Sequence, residues 1–447
     1  MKAIITDKNI VVVGLGKTGL SCVRHLSALG KQLTVMDTRE QPPGLDELRA
    51  RFPGVKTILG RLDQATLLEA DEIILSPGLS LKMPEIAAAQ AQGKIVRGDI
   101  DLFAEAVNAP LIAITGSNGK STVTSLLGDM AKQAGMKAAV GGNLGTPALD
   151  LLSDDNELYV MELSSFQLET TEMLNATSVV LLNLSEDHMD RYADKFAYLQ
   201  AKQRIFRGAK NVVVNDDEVL SAPLENASMN LVHYGLHGSD LHKFSTADIS
   251  GEFYIVKGFS PLMPIKQLKL RGDHNISNAL AALALGDSVG IPVPAMVEAL
   301  KDFQGLAHRC QFVRVLDGVE YFNDSKGTNP GAVLSALNSL GKTITGKVIL
   351  IAGGDSKGAD LSVLIEPVRR FVKAMVLIGV DADKFINLFE SVVPVHKESA
   401  MSDAVQKAHA LSEKGDLVLL SPACASLDMF NNFEHRGDVF HKEVCAL

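Results

Sequence analysis

The chain has 447 residues, too many for a single hydrophobic core, so two or three domains are expected. Hydrophobic residues make up 46%, and no apolar run reaches the ~18 residues of a membrane span, which excludes a bundle of membrane-spanning helices. A net charge of −10 argues against nucleic acid as the main partner, although a local basic pocket can still hold an anion.

The N-terminal stretch MKAIITDKNIVVVG has no signal-peptide core and runs straight into a strand. Cys22, Cys310, Cys424 and Cys445 are far apart and show no metal-ligand spacing. A reduced, cytoplasmic protein is expected.

A strand over NIVVV (9–13) leads into Gly14-Leu15-Gly16-Lys17-Thr18-Gly19, then a helix with Leu20, Val23, Leu26 and Leu29 at apolar positions. A second strand, QLTVM, ends at Asp37. This βαβ unit carries G-x-G-x-x-G and an acid about twenty residues on. Its default reading is dinucleotide binding, but the glycines would admit any nucleotide diphosphate to the helix start. Asp37 is then a ribose-hydroxyl ligand or simply a polar strand end. Strand DEIILSPG ends in Ser76-Pro77-Gly78, at the edge of a parallel sheet where ligands bind in open α/β folds. Helix PEIAAAQAQG and strand KIVRG close a first domain at residue 98.

Residues 99–109 read as a linking helix. The second domain opens on LIAITGSNGKST (111–122), around which the chain is organised. An apolar strand, a glycine-rich turn and a helix follow one another, so backbone N–H groups and a helix N-terminus aim at one point, which suits a phosphate. Lys120 adds charge for the outer phosphates, and Ser121 or Thr122 offers a hydroxyl to Mg²⁺. The Walker match is incomplete, because Ile114 stands where the first glycine belongs. Next come a glycine-rich stretch around Asn143, strand ELYVMELSSFQLE (157–169) with Glu162 near its end, and strand SVVLLNLSEDHMDRY (178–192) running into Glu186-Asp187-His188. Singly, Glu162 reads as a solvated or capping carboxylate and His188 as a loop histidine. Parallel strands finish at one sheet edge, so both are predicted to meet the phosphate loop and form a Mg²⁺–triphosphate site.

Helix 193–207 carries Lys202, a solvent-facing lysine by spacing alone. Strand NVVVNDDE ends the parallel run, and residues 230–270 (EFYIV, QLKLR) read as a small antiparallel patch. Arg271-Gly272-Asp273-His274-Asn275 starts a helix on whose first turn Asn275 and Asn278 share a face, either as caps or toward a ligand. The central domain ends at residue 304. A third domain, 305–447, opens on Gly305-Leu306-Ala307-His308-Arg309. Strand VEYFN runs into Asp324-Ser325-Lys326-Gly327-Thr328-Asn329, and KVILIAGG into Asp355-Ser356-Lys357-Gly358. AMVLIG, VVPVH and DLVLLSPACASLDMF complete a second doubly wound sheet. Lys326, Lys357 and Ser426 on strand-end loops suggest an anionic substrate, unless the lysines are merely solvated.

The stretches GLGKTGLS, MDTR, SPG, ITGSNGKST, GGNLG, ELSSFQLE, NLSEDHMDRY, AKQRIF, HNISNALAALAL, HRCQFV, NDSKGTNP, GGDSKGAD and SPACASLDMFNNFEHRG span essentially the whole chain. Together they resemble the ATP-dependent Mur ligases of peptidoglycan synthesis, in which the shortened phosphate loop is normal. The resemblance implies an α/β protein of three domains: a Rossmann-like N-terminal domain for the UDP substrate, a central P-loop ATPase-type parallel sheet with a small antiparallel patch, and a Rossmann-like C-terminal domain for the amino acid. It implies ATP-dependent addition of D-glutamate to UDP-N-acetylmuramoyl-L-alanine through an acyl phosphate, in a cytoplasmic monomer.

Carried over by position, Gly116, Ser117, Asn118, Gly119, Lys120, Ser121 and Thr122 would bind ATP phosphates, with Asn275, Arg309 and Asp324 as further ATP contacts. Lys120 would stabilise the transferring phosphoryl group. Ser121 and Glu162 would hold one Mg²⁺ and His188 a second, bridged by a CO₂-derived carbamate on Lys202. Asn143 and His188 would lie near the reacting end of the sugar substrate. Thr18, Asp37, Thr38, Arg39 and Gly78 would hold the uridine diphosphate. Lys326, Thr328, Lys357, Ser426, Leu427 and Phe433 would form the D-glutamate pocket.

Three other readings compete. A folylpolyglutamate-type or other Mur ligase is the first, but the Asp-Asn-Pro-Arg box that resembles diaminopimelate selection is absent. An NAD-dependent module rests on Gly14–Gly19 alone and leaves Lys120, Glu162 and His188 unexplained. A P-loop motor lacks its hhhhD strand, since Glu162 stands in its place.

Overall fold

The computed structural model describes residues 8–224, 229–238, 240–241, 243–270 and 272–447. Met1–Asp7 and Arg271, which figure in the expectations above, lie outside them. Three sheets follow one another along the chain.

The first has strands β1 (Ile10–Val13), β2 (Leu33–Asp37), β3 (Lys56–Leu59), β4 (Glu72–Leu75) and β5 (Ile95–Arg97) in the order β3-β2-β1-β4-β5, all parallel. The order reverses between β1 and β4, which opens a crevice at their C-terminal ends. Ser76 Oγ donates to the Gly14 carbonyl at 2.9 Å and joins the two loops that flank it.

The central sheet contains β6 (Leu111–Thr115), β7 (Ala138–Gly142), β8 (Leu158–Glu162), β9 (Ser178–Leu181), β10 (Asn211–Asn215), β11 (Asn230–Tyr234), β12 (Phe244–Ile249), β13 (Glu252–Lys257) and β14 (Ser260–Pro264). Their order is β14-β13-β12-β11-β10-β9-β6-β8-β7. β11 pairs parallel with β10 and β12 with β11, so the parallel run continues two strands beyond NVVVNDDE; the antiparallel pairs are β12 with β13 and β13 with β14. QLKLR forms no strand among its described residues; a short 3-10 turn, Ile265–Gln267, ends on its first residue. β7 was hidden within the glycine-rich stretch because four of its five residues are Ala or Gly. The segment after β8 turns helical at once. Ser164 caps helix Ser165–Thr170 through a reciprocal box with Gln167, which accepts from the Ser164 N–H and donates its own to Ser164 Oγ. Helix Lys195–Gln203 buries Lys202 to 1% exposure, so the solvent-facing reading by spacing fails.

The third sheet has β15 (Gln311–Leu316), β16 (Val319–Asn323), β17 (Val348–Gly353), β18 (Val372–Ile378), β19 (Val395–Lys397) and β20 (Leu417–Leu420), ordered β15-β16-β20-β17-β18-β19. Only β15 is antiparallel. Asp317 (φ 52°) and Gly318 (φ 79°) make the two-residue turn into β16, the Asp-Gly signal of a hairpin.

The three units are joined in two different ways. One face of β6, β8 and β9 packs through Ala113, Met161 and Val179 into an apolar cluster that continues through Ile100 and Phe103 of helix Asp99–Ala106 to Val12 and Leu20. The first two units therefore share a core. The third has cores of its own. It meets the centre through polar contacts: Arg309 to Ser121 at 2.7 Å, Lys357 to Asp187 at 2.6 Å and His274 Nδ1 to Ser339 Oγ at 2.7 Å.

Two predictions follow from this packing. Gly353 has φ +113°, and a Cβ there would lie 2.0 Å from the Ile378 carbonyl oxygen. Gly353→Ala must strain and clash with backbone at once, so it should destabilise the third unit by about 3 kcal/mol or more. Differential scanning calorimetry should show its transition several degrees lower. Burial pushes the His274 imidazole down to about 4 from an ordinary 6.5. Between those values the unfolded chain binds the extra proton, so the stability from a neutral His274 is complete above pH 6.5 and lost as pH falls toward 4. The gap in Tm between wild type and His274→Gln should narrow across that window.

Candidate active site

The loop after β6 and the first turn of helix Lys120–Gln133 form the centre of the site. Gly119 takes φ +83°, and a Cβ there would stand 2.4 Å from Asn278 Oδ1, so only glycine fits this close approach. Asn118 N–H donates to Asn183 Oδ1, and Ser117 Oγ donates to the Ser185 carbonyl, so the loop after β9 braces the phosphate loop. Lys120 folds back onto its own loop, donating to the carbonyls of Gly116 (2.8 Å) and Ser117 (2.9 Å).

The predicted convergence of strand ends is observed. Ser121 Oγ donates to Glu162 Oε2 at 2.5 Å, Asn143 Nδ2 donates to Glu162 Oε1 at 2.7 Å, and Arg309 Nη2 reaches Ser121 Oγ from the third unit. Burial alone would raise the Glu162 carboxyl; Lys120, then Ser121 and Asn143, outweigh it and hold it below its ordinary value. Burial pushes Lys120 down, against the pull of Glu162. A hydroxyl and a carboxylate beside a phosphate loop are the oxygen donors that Mg²⁺ takes. Among the described residues no three His, Cys, Asp or Glu side chains gather as a metal cluster.

His188 takes a left-handed backbone, φ 59°. Burial pushes its imidazole down to about 4, so at neutral pH it is an uncharged donor ready for a metal. Lys202 Nζ lies 3.0 Å from the Gly116 carbonyl, 3.3 Å from Thr115 Oγ1 and 4.7 Å above the Tyr198 ring. Burial, with Lys120 adding repulsion, takes its amine well below the usual lysine range. A neutral amine is the form that combines with CO₂ to give a carbamate and a proton, so the environment fits that group.

A cavity of about 280 Å³ gathers Lys120, Asn143, Glu162, His188 and Lys202 with Arg309, Lys326 and Thr328 of the third unit. A second, of about 70 Å³, lies on the other side of Asn118-Gly119 and is lined by Thr122, Asn275, Arg309, Asp324 and Lys326. Burial raises the Asp324 carboxyl to about 6, although Ser421 Oγ and the Cys310 N–H donate to it. Burial lowers Lys326 to about 8, and its ammonium sits 3.8 Å over the Phe433 ring. Lys357 reaches the rim through its ion pair with Asp187. Ser426 is buried and lines neither cavity, and Leu427 is 74% exposed.

The remaining predicted residues stand apart, at the crevice of the first sheet. Asp37 is buried, and its oxygens accept from the N–H of Leu15 and from Arg39, so the carboxylate orders the glycine loop and aims the guanidinium. Thr38, Arg39 and Gly78 are exposed there, and Thr18 is half-buried at the start of helix Lys17–Ala28.

Sequence reasoning assigned no role to three residues that shape the site. Asp187 accepts from Lys357 and from Asn329 Nδ2. Arg436, 1% exposed, donates to Ser325 and to the carbonyls of Cys424 and Ala425, binding two strand-end loops together. Arg191 crosses to the first unit. All three lie inside quoted motifs, but a charged residue in a loop carries no sign of what it will face.

The chain matches three family models in succession: the Mur ligase MurD-like N-terminal domain over residues 8–98, the Mur ligase middle domain over 114–286 and the Mur ligase glutamate ligase domain over 308–424. It is 53% identical over 447 residues to a UDP-N-acetylmuramoylalanine–D-glutamate ligase of Marinobacter nauticus, covering all of both chains. It is 54% identical to the enzyme of that name from Pseudomonas putida, covering 99% of each. The fold is similar to that of the UDP-N-acetylmuramate–alanine ligase MurC of Thermotoga maritima, with a TM-score of 0.62 at 19% identity over 98% of this chain and 99% of that one. It is similar also to Thermotoga maritima MurF, solved with ADP, with a TM-score of 0.59 at 14% identity over 93% and 95%. The chain belongs to the Mur ligase family.

Proposed function

We propose that this chain is an ATP-dependent ligase that adds D-glutamate to UDP-N-acetylmuramoyl-L-alanine, a cytoplasmic step in peptidoglycan precursor synthesis, acting as a monomer. One observation carries the reading. Phosphate-loop, carboxylate and imidazole groups of the central unit share one cavity with lysine and arginine of the third, in a chain 53% identical throughout to a ligase named for this reaction. Residues 1–98 would hold the UDP portion, 99–304 the ATP, and 305–447 the amino acid together with part of the ATP.

A carboxylate is a poor electrophile. Its oxygen attacks the γ-phosphorus of ATP, ADP leaves, and an acyl phosphate forms. The amine of D-glutamate then attacks the acyl carbon, phosphate leaves, and the amide nitrogen loses a proton. Lys120 would swing from its loop carbonyls to the transferring phosphoryl group, whose charge it would offset. Two Mg²⁺ would supply further charge neutralisation, one held by Ser121 and Glu162, the other by His188 and a carbamate on Lys202. Gly116–Thr122 with Asn275, Arg309 and Asp324 would seat the nucleotide. Asn143 would hold Glu162 and border the acyl group. Lys326, Thr328, Lys357, Ser426, Leu427 and Phe433 would receive the dicarboxylate. Acyl phosphates hydrolyse, and closure of the third unit over the cavity would exclude water.

Phosphate release from ATP in the presence of the UDP-sugar-alanine should require D-glutamate, and L-glutamate or L-lysine should not replace it. Release driven equally by L-lysine would overturn the assignment. Lys120→Ala should lower kcat by about 10³-fold or more with smaller changes in KM, because a charge felt mainly in the transition state is removed. Lys202→Ala should be inactive and partly rescued by a short-chain carboxylic acid, which supplies the missing oxygen donor; rescue is read as restored phosphate release.

A further inference from the structure

Arg191 lies one turn beyond His188. Its backbone N–H donates to the His188 carbonyl at 3.0 Å, and that of Tyr192 does so at 3.1 Å, so residues 188–192 form one compact turn. The Arg191 side chain leaves the central unit. Nη1 donates to the Pro77 carbonyl at 2.9 Å, and Nη2 to the Leu79 carbonyl at 3.0 Å and to Glu169 Oε2 at 2.5 Å. The two carbonyls belong to the turn Ser76–Leu79, closed by Leu79 N–H to the Ser76 carbonyl. That turn contains Gly78, and Ser76 binds it to the glycine loop through Gly14. On the opposite side the guanidinium carbon stands 4.1 Å from the centroid of the Phe166 ring. Phe166 in turn packs on the His188 imidazole at 4.7 Å between ring centroids. The Arg191 Nε is buried and has no partner, so the side chain is held by its planar fork and its stacked face.

We infer that Arg191 is a positioning residue that ties the nucleotide-sugar loop of the first unit to the placement of His188 in the central cavity. A guanidinium suits this task because one rigid plane can donate along its edge and stack on an aromatic face together. Settling of the turn Ser76–Leu79 around a uridine diphosphate fixes the fork. The fork fixes the face against Phe166, and Phe166 limits the imidazole. Neither Arg191 nor Glu169 lines the cavity that holds His188 and Lys202, so the effect is transmitted through Phe166 and the turn, not by contact with the reacting atoms. The inference rests on the function proposed above.

The test uses the full chain. Binding of UDP-N-acetylmuramoyl-L-alanine is measured by calorimetry, and kcat with the three KM values by phosphate release. Arg191→Ala should weaken nucleotide-sugar binding about tenfold and lower kcat about tenfold, with KM for ATP and D-glutamate within about twofold. Arg191→Lys keeps a charge beside Glu169 but cannot hold both carbonyls in one plane, so it should fall between. It also serves if the alanine variant does not fold. Phe166→Leu cuts the link to the imidazole but leaves the clasp. It should lower kcat with nucleotide-sugar affinity within about twofold, a split that general loosening of the fold does not produce. Unchanged binding and kcat in both Arg191 variants overturn the inference alone. So does an equal loss of all three affinities with a lowered Tm. Wild-type protein that neither binds nor consumes the UDP-sugar overturns the functional reading and this inference with it.

Discussion

The Asp187 carboxylate is the junction on which the docking of the third unit onto the central one depends. It is buried between the central and third units, and one of its oxygens accepts from both the His188 N–H (2.9 Å) and Lys357 (2.6 Å). Burial alone would raise this carboxyl; Lys357 outweighs it and holds it below its ordinary value. A buried pair of this kind adds little net stability, yet removing one partner leaves an uncompensated charge that costs about 3–5 kcal/mol. The pair therefore acts less as glue than as a gate on geometry. The third unit can dock closely only where Lys357 finds an anion, and Asp187 presents one beside the imidazole.

The contrast between the two joints follows from what each buries. The first and central units share apolar surface through Ile100, Phe103 and Met161, and separating them would expose it to water. The third unit meets the centre through hydrogen bonds and ion pairs, which water can replace at small net loss. Arg309, Asn329 and Lys357 make that contact, and Asn329 lies in the loop that also carries Lys326 and Thr328. The surface that meets the central unit thus adjoins the surface that faces the cavity. Arg436 and the Asp355–Ala425 bridge tie strand-end loops of the third unit to one another.

Much of this was legible in the sequence because periodicity and strand-end loops report local structure directly. Glu162 and the phosphate loop were brought together by one topological rule, that parallel strands end at one edge. What the rule could not reach depends on partners far along the chain. Lys202 looked solvated because a helix reveals its buried face only through apolar neighbours, and a buried lysine breaks that pattern. β7 was missed because alanine and glycine carry no strand signature. β15 was passed over although Asp317-Gly318 announced its hairpin. Arg191 and Asp187 were quoted within motifs, but their roles rest on contacts 112 and 170 residues away.

The charges around the cavity show why its lysines behave alike. Lys120, Lys202, Lys326 and Arg309 line it against Glu162 and Asp187. Burial moves all three lysines down, and in each the neighbouring cations push the same way. Lys202 is displaced well below its ordinary range, with the Gly116 carbonyl at 3.0 Å, Thr115 Oγ1 at 3.3 Å and the Tyr198 ring at 4.7 Å as its neighbours. Conversion of that amine to a carbamate would replace a disfavoured cation by an anion and bring the lining to three cations and three anions. The same imbalance can instead be relieved by a polyphosphate entering beside Gly116–Thr122. The two reliefs are not equivalent. A carbamate on Lys202 would place its charge at a fixed point of the cavity that His188 also lines, whereas phosphate charge would depart with the nucleotide at the end of each cycle.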